Sequence, residues 1–416
     1  MDSARIASNL REKILHFSGE LSHGLPKVVA RFIGEMIYGV QARQSVRLTE
    51  ISRALAEPIA IKKTVERLSR QLRIAWLGGW LTGRLLQMAA ERVRETTLLI
   101  MDLSDVHKKY ARKMEHLVTV WDGSEKRKDR GYWTLNVIAA ETGSAQIVPL
   151  YSRLYSHRAP EFQSENGELR EAIRQVSEKT QKRGIWVMDR GGDRGYLYDY
   201  LRAVGLRFII RLRGDRGLET DREESALEAA ERCPMMFNEY IVRDKMGEEK
   251  PQCLEVGSRN VRLPGHRDAL TLIVVKGLGH EPMMLLTNLA LRKTRKSIWH
   301  VVAAYLTRWR IEETLRYVKQ SYQLEDVRVL RYVRLQNMMV IILAVMYFTA
   351  VYLGIKLKLR VLAGHIVKAA RRVFGIPDFR LYAIADGIKH LLFNRSRGLG
   401  LAPRALSPPL LQRSLF

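Results

Sequence analysis

Apolar residues recur at helical spacing through the first part of the chain, where Val28, Val29, Phe32, Ile33, Met36 and Ile37 form one stripe, so the region up to Glu95 is expected to be helical. Within it, Thr49 can cap a short helix through Leu55, and Glu57-Pro58 breaks that helix. Residues 61–72 then form a second helix with Ile61, Val65, Leu68 and Leu72 turned inward. The pair has the layout of a helix-turn-helix whose outward face carries Lys62, Lys63, Arg67 and Arg70. Such a face suits a DNA major groove, although short helix pairs with solvated charges look the same in sequence.

After Glu95 the period changes to that of strands. Residues 96–101 (TTLLIM) are a continuous apolar run ending at Asp102, and further strands are expected at 117–121, 132–140 and 147–151, with turns at Asp122-Gly123 and Thr142-Gly143-Ser144. A helix over about 163–181 leads into IWVM at 185–188, which again ends in an aspartate, Asp189. The turn RGGDRG, the amphipathic helix YLYDYLRAV and a strand at 207–212 follow. Meandering strands, then α/β alternation with acids at two strand ends, is the order of a ribonuclease-H-like core. Residues 213–286 combine a charged helical stretch with several short strands and are expected to be a β-rich insertion. Helical periodicity returns near Arg292. From Met338 to Ile355 no residue is charged, which meets the minimum for a membrane span; Thr349, Gly354 and two tyrosines favour a helix buried in a large core. The expected organisation is a helical DNA-binding region (1–95), the first part of the core (96–212), the insertion (213–290), the second part of the core (291–355), and a basic C-terminal region with a tail (356–416).

Charge sharpens this picture. The 416 residues include 70 Lys+Arg against 44 Asp+Glu, a formal net charge of +26, while 46% hydrophobic residues exclude a disordered chain. A field of that size points to a polyanion, nucleic acid or an anionic membrane surface. The last 66 residues hold 12 basic and 2 acidic residues, and the final LAPRALSPPLLQRSLF is expected to be an unstructured tail. Cys233 and Cys253 are the only cysteines, too few for a disulfide framework or a zinc ribbon, and the first residues offer no signal peptide; both suggest a cytoplasmic protein.

Chemistry is concentrated in YLTRWRIEETLRYVK. At about 100° per residue, Tyr305, Arg308, Glu312 and Lys319 fall within an arc of roughly 60°, so one helix face carries a phenol, a guanidinium, a carboxylate and an ammonium. That set suits a divalent cation on Glu312 and phosphates on Arg308, Lys319 and Tyr305; a solvated, salt-bridged face is the plainer alternative. Asp102 and Asp189 weigh against the plainer reading, because they end strands expected to be neighbours and would add two carboxylates beside Glu312. Clustered carboxylates repel unless cations lie between them, and paired Mg²⁺ ions can drive in-line displacement at phosphorus.

These residues resemble a known family, the DDE transposases of bacterial insertion sequences, specifically the IS-four family. Its hallmark Y-x2-R-x3-E-x6-K is met by Tyr305, Arg308, Glu312 and Lys319; its first aspartate by Asp102 in LLIMDLS; its second by Asp189 in VMDRGGD. The resemblance runs from about Leu98 to Leu353. It implies a catalytic and metal-binding triad of Asp102, Asp189 and Glu312 with two Mg²⁺ or Mn²⁺ ions, and phosphate contacts by Tyr305, Arg308 and Lys319. Cut-and-paste transposition would then follow, by a homodimer on double-stranded DNA at terminal inverted repeats and target DNA, in the bacterial cytoplasm, associated with the nucleoid and with no membrane. Arg190 and Arg194 are further candidate DNA contacts. Some relatives stack a flipped base on a tryptophan where Met283 or Met284 stands here, with Trp299 near by in sequence. A sequence-specific DNA-binding protein without strand transfer, such as a repressor, is the alternative.

Overall fold

In a computed structural model of the chain, residues 3–122, 127–245, 248–363, 381–393 and 398–399 are described. Five helices come first: α1 (Ser3–Leu21), α2 (Lys27–Arg43), α3 (Leu48–Leu55), α4 (Ile61–Gln71) and α5 (Leu77–Ala90). The expected helix pair is present as α3 and α4, with two corrections. Helix α3 starts at Leu48 behind Arg47, which makes no side-chain cap, so Thr49 lies inside the first turn and does not cap it. Helix α4 is rotated from the expected pose: Leu68 and Leu72 are buried, but Thr64 joins them while Ile61 is 45% exposed. The cause is Glu35 of α2, 1% exposed, which as a buried carboxylate must be paired. Arg67 Nη1 lies 2.5 Å from its Oε2, and Arg67 Nη2 donates to Glu57 at 2.8 Å. Arg67 is therefore an internal clamp, and the outward basic face is left to Lys62, Lys63 and Arg70.

The central sheet is mixed. Strands β1 (Leu98–His107), β2 (Val118–Asp122), β3 (Arg127–Ala140) and β4 (Ile147–Tyr155) are followed by α6 (Glu165–Lys179), β5 (Ile185–Met188), α7 (Gly195–Val204) and β6 (Arg207–Arg211). A small hairpin, β7 (Gly217–Glu219) and β8 (Glu223–Ser225), precedes α8 (Ala226–Glu231), after which come β9 (Met235–Lys245), β10 (Glu248–Val261), β11 (Leu270–Lys276) and β12 (Met283–Thr287). The order is β2-β3-β1-β5-β6-β12-β11-β10-β9, with β4 also paired to β3. The segment expected as an insertion thus continues the same ten-stranded sheet, because β12 pairs antiparallel with β6. All four residues of β5 are buried, which a strand covered on both faces requires.

Helices α9 (Arg295–Thr307), α10 (Trp309–Ser321) and α11 (Tyr332–Tyr347) follow, and a π-helical turn, Phe348–Tyr352, extends α11. The stretch from Tyr332 to Tyr352 is long and apolar enough to cross a membrane, yet 78% of its most apolar window is buried inside the protein, packed on β4, α5 and α2. The polar interruption at Thr349 has a structural reason. Its hydroxyl donates to Val345 O at 3.1 Å and accepts from the buried Gln41 amide at 2.8 Å, and side chains inserted into the helical ladder in this way accompany a π turn. Helices α12 (Ile355–Ala363) and α13 (Leu381–Phe393) close the described chain, α13 packing on α1 and α2. The proline-bearing tail and much of the basic C-terminal region, including Arg371 and Arg372, lie outside the described residues.

Candidate active site

Strand β1 pairs in parallel with β5, Leu98 opposite Ile185 and Ile100 opposite Val187. Two residues further in that register, Asp102 and Asp189 stand side by side. Unlike the expectation, β1 does not end at Asp102: β3 accompanies it on its other edge to His107 opposite Gly131, whereas β5 stops at Met188. Asp102 is thus half-buried on a ledge where one neighbour strand has ended. Asp189 caps the 3-10 turn Arg190–Gly192, its Oδ1 accepting from Gly191 N at 2.8 Å. A Cβ on Gly191 would stand 3.0 Å from that carboxylate oxygen, and one on Gly192 only 2.6 Å from Met188 Cβ, which accounts for glycine at both positions.

The Asp102 carboxyl is pushed up to about 7, first by burial and then by the Asp189 carboxylate; Arg308 pulls it down and Glu312 pushes it up again. The four groups therefore feel one another across the site. The helix expected over Tyr305–Lys319 tightens at Arg308, where Arg308 N bonds to Tyr305 O and Ile311 N to Arg308 O, so Tyr305 belongs to α9 while Glu312 and Lys319 belong to α10. Arg308 Nη2 holds Glu312 Oε1 at 2.6 Å, and its guanidinium lies 5.7 Å from the Tyr305 ring centre. Burial opposes the charge on Arg308, but Tyr305, Glu312 and Asp102 outweigh it and push the group above its ordinary value. Tyr305 is 5% exposed, and its hydroxyl and Arg308 Nε are buried without a hydrogen-bond partner among the described residues. Lys319 lies further along, its Nζ 3.5 Å from Asp105 and 3.4 Å from Glu325. Asp105 and Glu325 were not foreseen as site residues; the signal available was only their charge.

Among the described residues no group of three or more His, Cys, Asp or Glu side chains is already gathered as a metal ligand set. Glu312 instead faces Arg308. The donor chemistry nonetheless fits a hard divalent cation: carboxylate oxygen alone, with the Asp189 and Glu312 carboxylates both adding to what burial does to Asp102.

The two candidate DNA contacts after Asp189 are placed differently. Arg190 is exposed, with Glu281 at 3.7 Å. Arg194 is engaged internally: Nε donates to Gly191 O at 2.7 Å, Nη1 to Asn166 Oδ1 at 2.8 Å, and Nη2 pairs with Glu165. It ties the Asp189 turn to the start of α6 and is a structural clamp. The unforeseen partner in this turn is Asp193, whose fully buried carboxylate accepts from Arg216 Nε at 2.7 Å and Arg213 N at 2.8 Å. Beside Tyr305 and Arg308, a cavity of about 350 Å³ is lined by Met283, Arg211 and Trp309. Met283 and Met284 are buried and Trp299 packs partly against the core; the tryptophan open to solvent on this wall is Trp309, 52% exposed.

No curated protein matches the chain. Among solved structures it is similar to a piggyBac transposase determined as a synaptic complex with hairpin DNA, at 12% identity and a TM-score of 0.47, over 95% of this chain and 80% of that one. Residues 161–348, which hold Asp189, Tyr305, Arg308, Glu312 and Lys319 but not Asp102, match the transposase DDE domain family.

Proposed function

We propose that the chain is a DDE transposase of the IS-four type that cleaves DNA at the ends of its element and joins the freed 3′ end to target DNA. It would act as a homodimer on DNA in the bacterial cytoplasm. The observation that carries the reading is the β1–β5 register, which sets Asp102 beside Asp189 in a chain whose 161–348 segment matches the transposase DDE domain. Asp102, Asp189 and Glu312 would hold Mg²⁺ or Mn²⁺, and paired ions of this kind, when bound, activate the attacking oxygen and stabilise the leaving one at phosphorus.

The chain's own groups have separable tasks. Arg308 orients Glu312 with one nitrogen and keeps a buried, unpartnered Nε for a phosphate oxygen. The unpartnered Tyr305 hydroxyl is a second donor in the same wall, and a phosphate there would satisfy both groups. Lys319, 27% exposed, supplies a point charge for the next phosphate along the strand.

The test uses duplex DNA carrying the inverted repeats that flank the gene. Asp102→Asn, Asp189→Asn and Glu312→Gln should each bind these ends and fail to cut them with Mg²⁺. Cutting at the wild-type rate by any of the three sinks the triad. A wild-type protein that binds the ends and leaves every strand whole would identify a DNA-binding protein without strand transfer.

A further inference from the structure

Strand β1 leaves the sheet at His107, and the following loop faces the segment after α10. The two are stapled at both ends. Lys108 is 5% exposed, and its Nζ donates to Glu325 O at 2.5 Å and Val327 O at 2.7 Å. At the far end Glu115 N donates to Leu330 O at 3.0 Å, while the Glu115 carboxylate accepts from Tyr332 N at 2.9 Å. Between the staples lies a cavity of about 660 Å³, within the ~300–1,000 Å³ of ligand sites.

Its walls carry an excess of unspent positive charge. The three carboxylates on the lining are engaged by cations: Asp326 by Arg47 at 2.5 Å, Glu325 by Lys319 at 3.4 Å, and Asp129 by Arg127 at 3.8 Å. Lys109, Arg112, Lys113 and Arg328 are exposed on the same walls with no carboxylate partner among the described residues. Tyr110, 87% exposed, stands among them with Lys109 Nζ 5.8 Å from its ring centre. A tyrosine ring this open, with a cation beside it, offers a stacking face suited to an unpaired base, since bases within a duplex already stack on one another. One side chain links the cleft wall to α10, the helix that carries Glu312. Lys319 touches Glu325 on the cleft wall, and it touches Asp105, three residues along β1 from Asp102.

We propose that this cleft binds a single-stranded DNA tract beyond the scissile phosphate, with its phosphates on Lys109, Arg112, Lys113 and Arg328 and one base stacked on Tyr110. The proposal rests on the transposase reading for the scissile phosphate, but the cleft's affinity does not depend on cleavage. A strand leaving the acidic centre passes Lys319 and enters the cleft, which keeps the cut end from drifting away between cleavage and joining.

The experiment measures binding of fluorescein-labelled oligothymidylate to the full chain in EDTA over a salt series. The variant Lys109→Ala/Arg112→Ala/Lys113→Ala/Arg328→Ala should bind more weakly. The slope of log K against log salt should become shallower by about 3, from roughly 0.7 per phosphate lost. Tyr110→Ala should lower affinity about 5- to 100-fold with the slope unchanged, as loss of one stacked base does. Lys108 is kept in both variants so that the staple survives, and Tyr110→Ala carries the test if the fourfold variant does not fold. Wild-type affinity and slope in these variants overturn the cleft, even if the protein cuts transposon ends normally. Loss of single-strand binding in a protein that never cuts overturns the transposase reading and leaves the cleft standing.

Discussion

Asp102 should cost the metal-free protein stability at neutral pH, and the size of that cost follows from the site. Its carboxyl titrates near 7 in the folded state, against an ordinary value of 3.8, with burial the main cause and Asp189 the next. The shift is upward, so the folded state keeps its proton while the unfolded state has already released one. Stability therefore falls as pH rises from about 4 to about 7 and levels off above that. A difference of about 3 units at ~1.4 kcal/mol each sets an upper limit of about 4 kcal/mol, reduced by whatever water reaches the ledge. Asp102→Asn keeps the shape and removes the charge, so the metal-free variant should be more stable than wild type at pH 8 by up to that amount, and equal to it near pH 4. Urea unfolding of both proteins in EDTA across this range measures the gap. Excess Mg²⁺ should close it from the wild-type side only, because a cation between the carboxylates removes the repulsion that the amide never had. Parallel stability curves from pH 4 to 8 would refute the reasoning, since they would mean that Asp102 titrates as a solvated carboxyl.

Much of this site is local enough to be legible in sequence. Asp102 and Asp189 are each announced by an apolar strand, and the Tyr305, Arg308, Glu312, Lys319 spacing needs only helical geometry. What the sequence could not reveal depends on partners far away along the chain. That β1 runs past Asp102 is decided by β3, which pairs with it to Gly131, and a strand's length on one edge cannot be inferred from its own residues. The inward turn of Arg67 is decided by Glu35, 32 residues earlier, because burying that carboxylate outweighs the apolar claim of Ile61. The strands after Arg213 read as a β-rich insertion, but where they attach was not legible: β12 finds an open edge at β6 and extends the sheet. The cleft beside Lys319 was invisible for the same reason: Lys108 and Glu115, which staple its two ends, find their partners more than 200 positions away.

Three further perturbations test these long-range claims. Arg67→Ala leaves Glu35 buried with Arg31 alone, so unfolding in urea should show a loss of about 3 kcal/mol, the lower end for breaking a buried pair. Asp193→Ala strips Arg216, Arg213 N and Tyr198 of a fully buried acceptor and should cost about 3 kcal/mol in the same assay; a surface-like loss under 0.5 kcal/mol would deny Asp193 its anchoring role. Lys108→Met removes the staple of the cleft while filling its space with an unbranched side chain. Two carbonyls lose their donor, for about 1–3 kcal/mol each at most, and part of this returns because a buried charge is gone. The pH dependence separates the staple from mere packing. Burial pulls the Lys108 ammonium down from 10.5 to about 8, against the opposing pull of Glu325 and Asp326. Between those values the unfolded state binds the extra proton, so wild-type stability gains a rising contribution with pH that the methionine variant lacks. The gap between the two proteins should widen from pH 8 toward pH 10. A gap constant over that range would show that Lys108 titrates alike in both states, which a 5%-exposed ammonium held by two carbonyls cannot do.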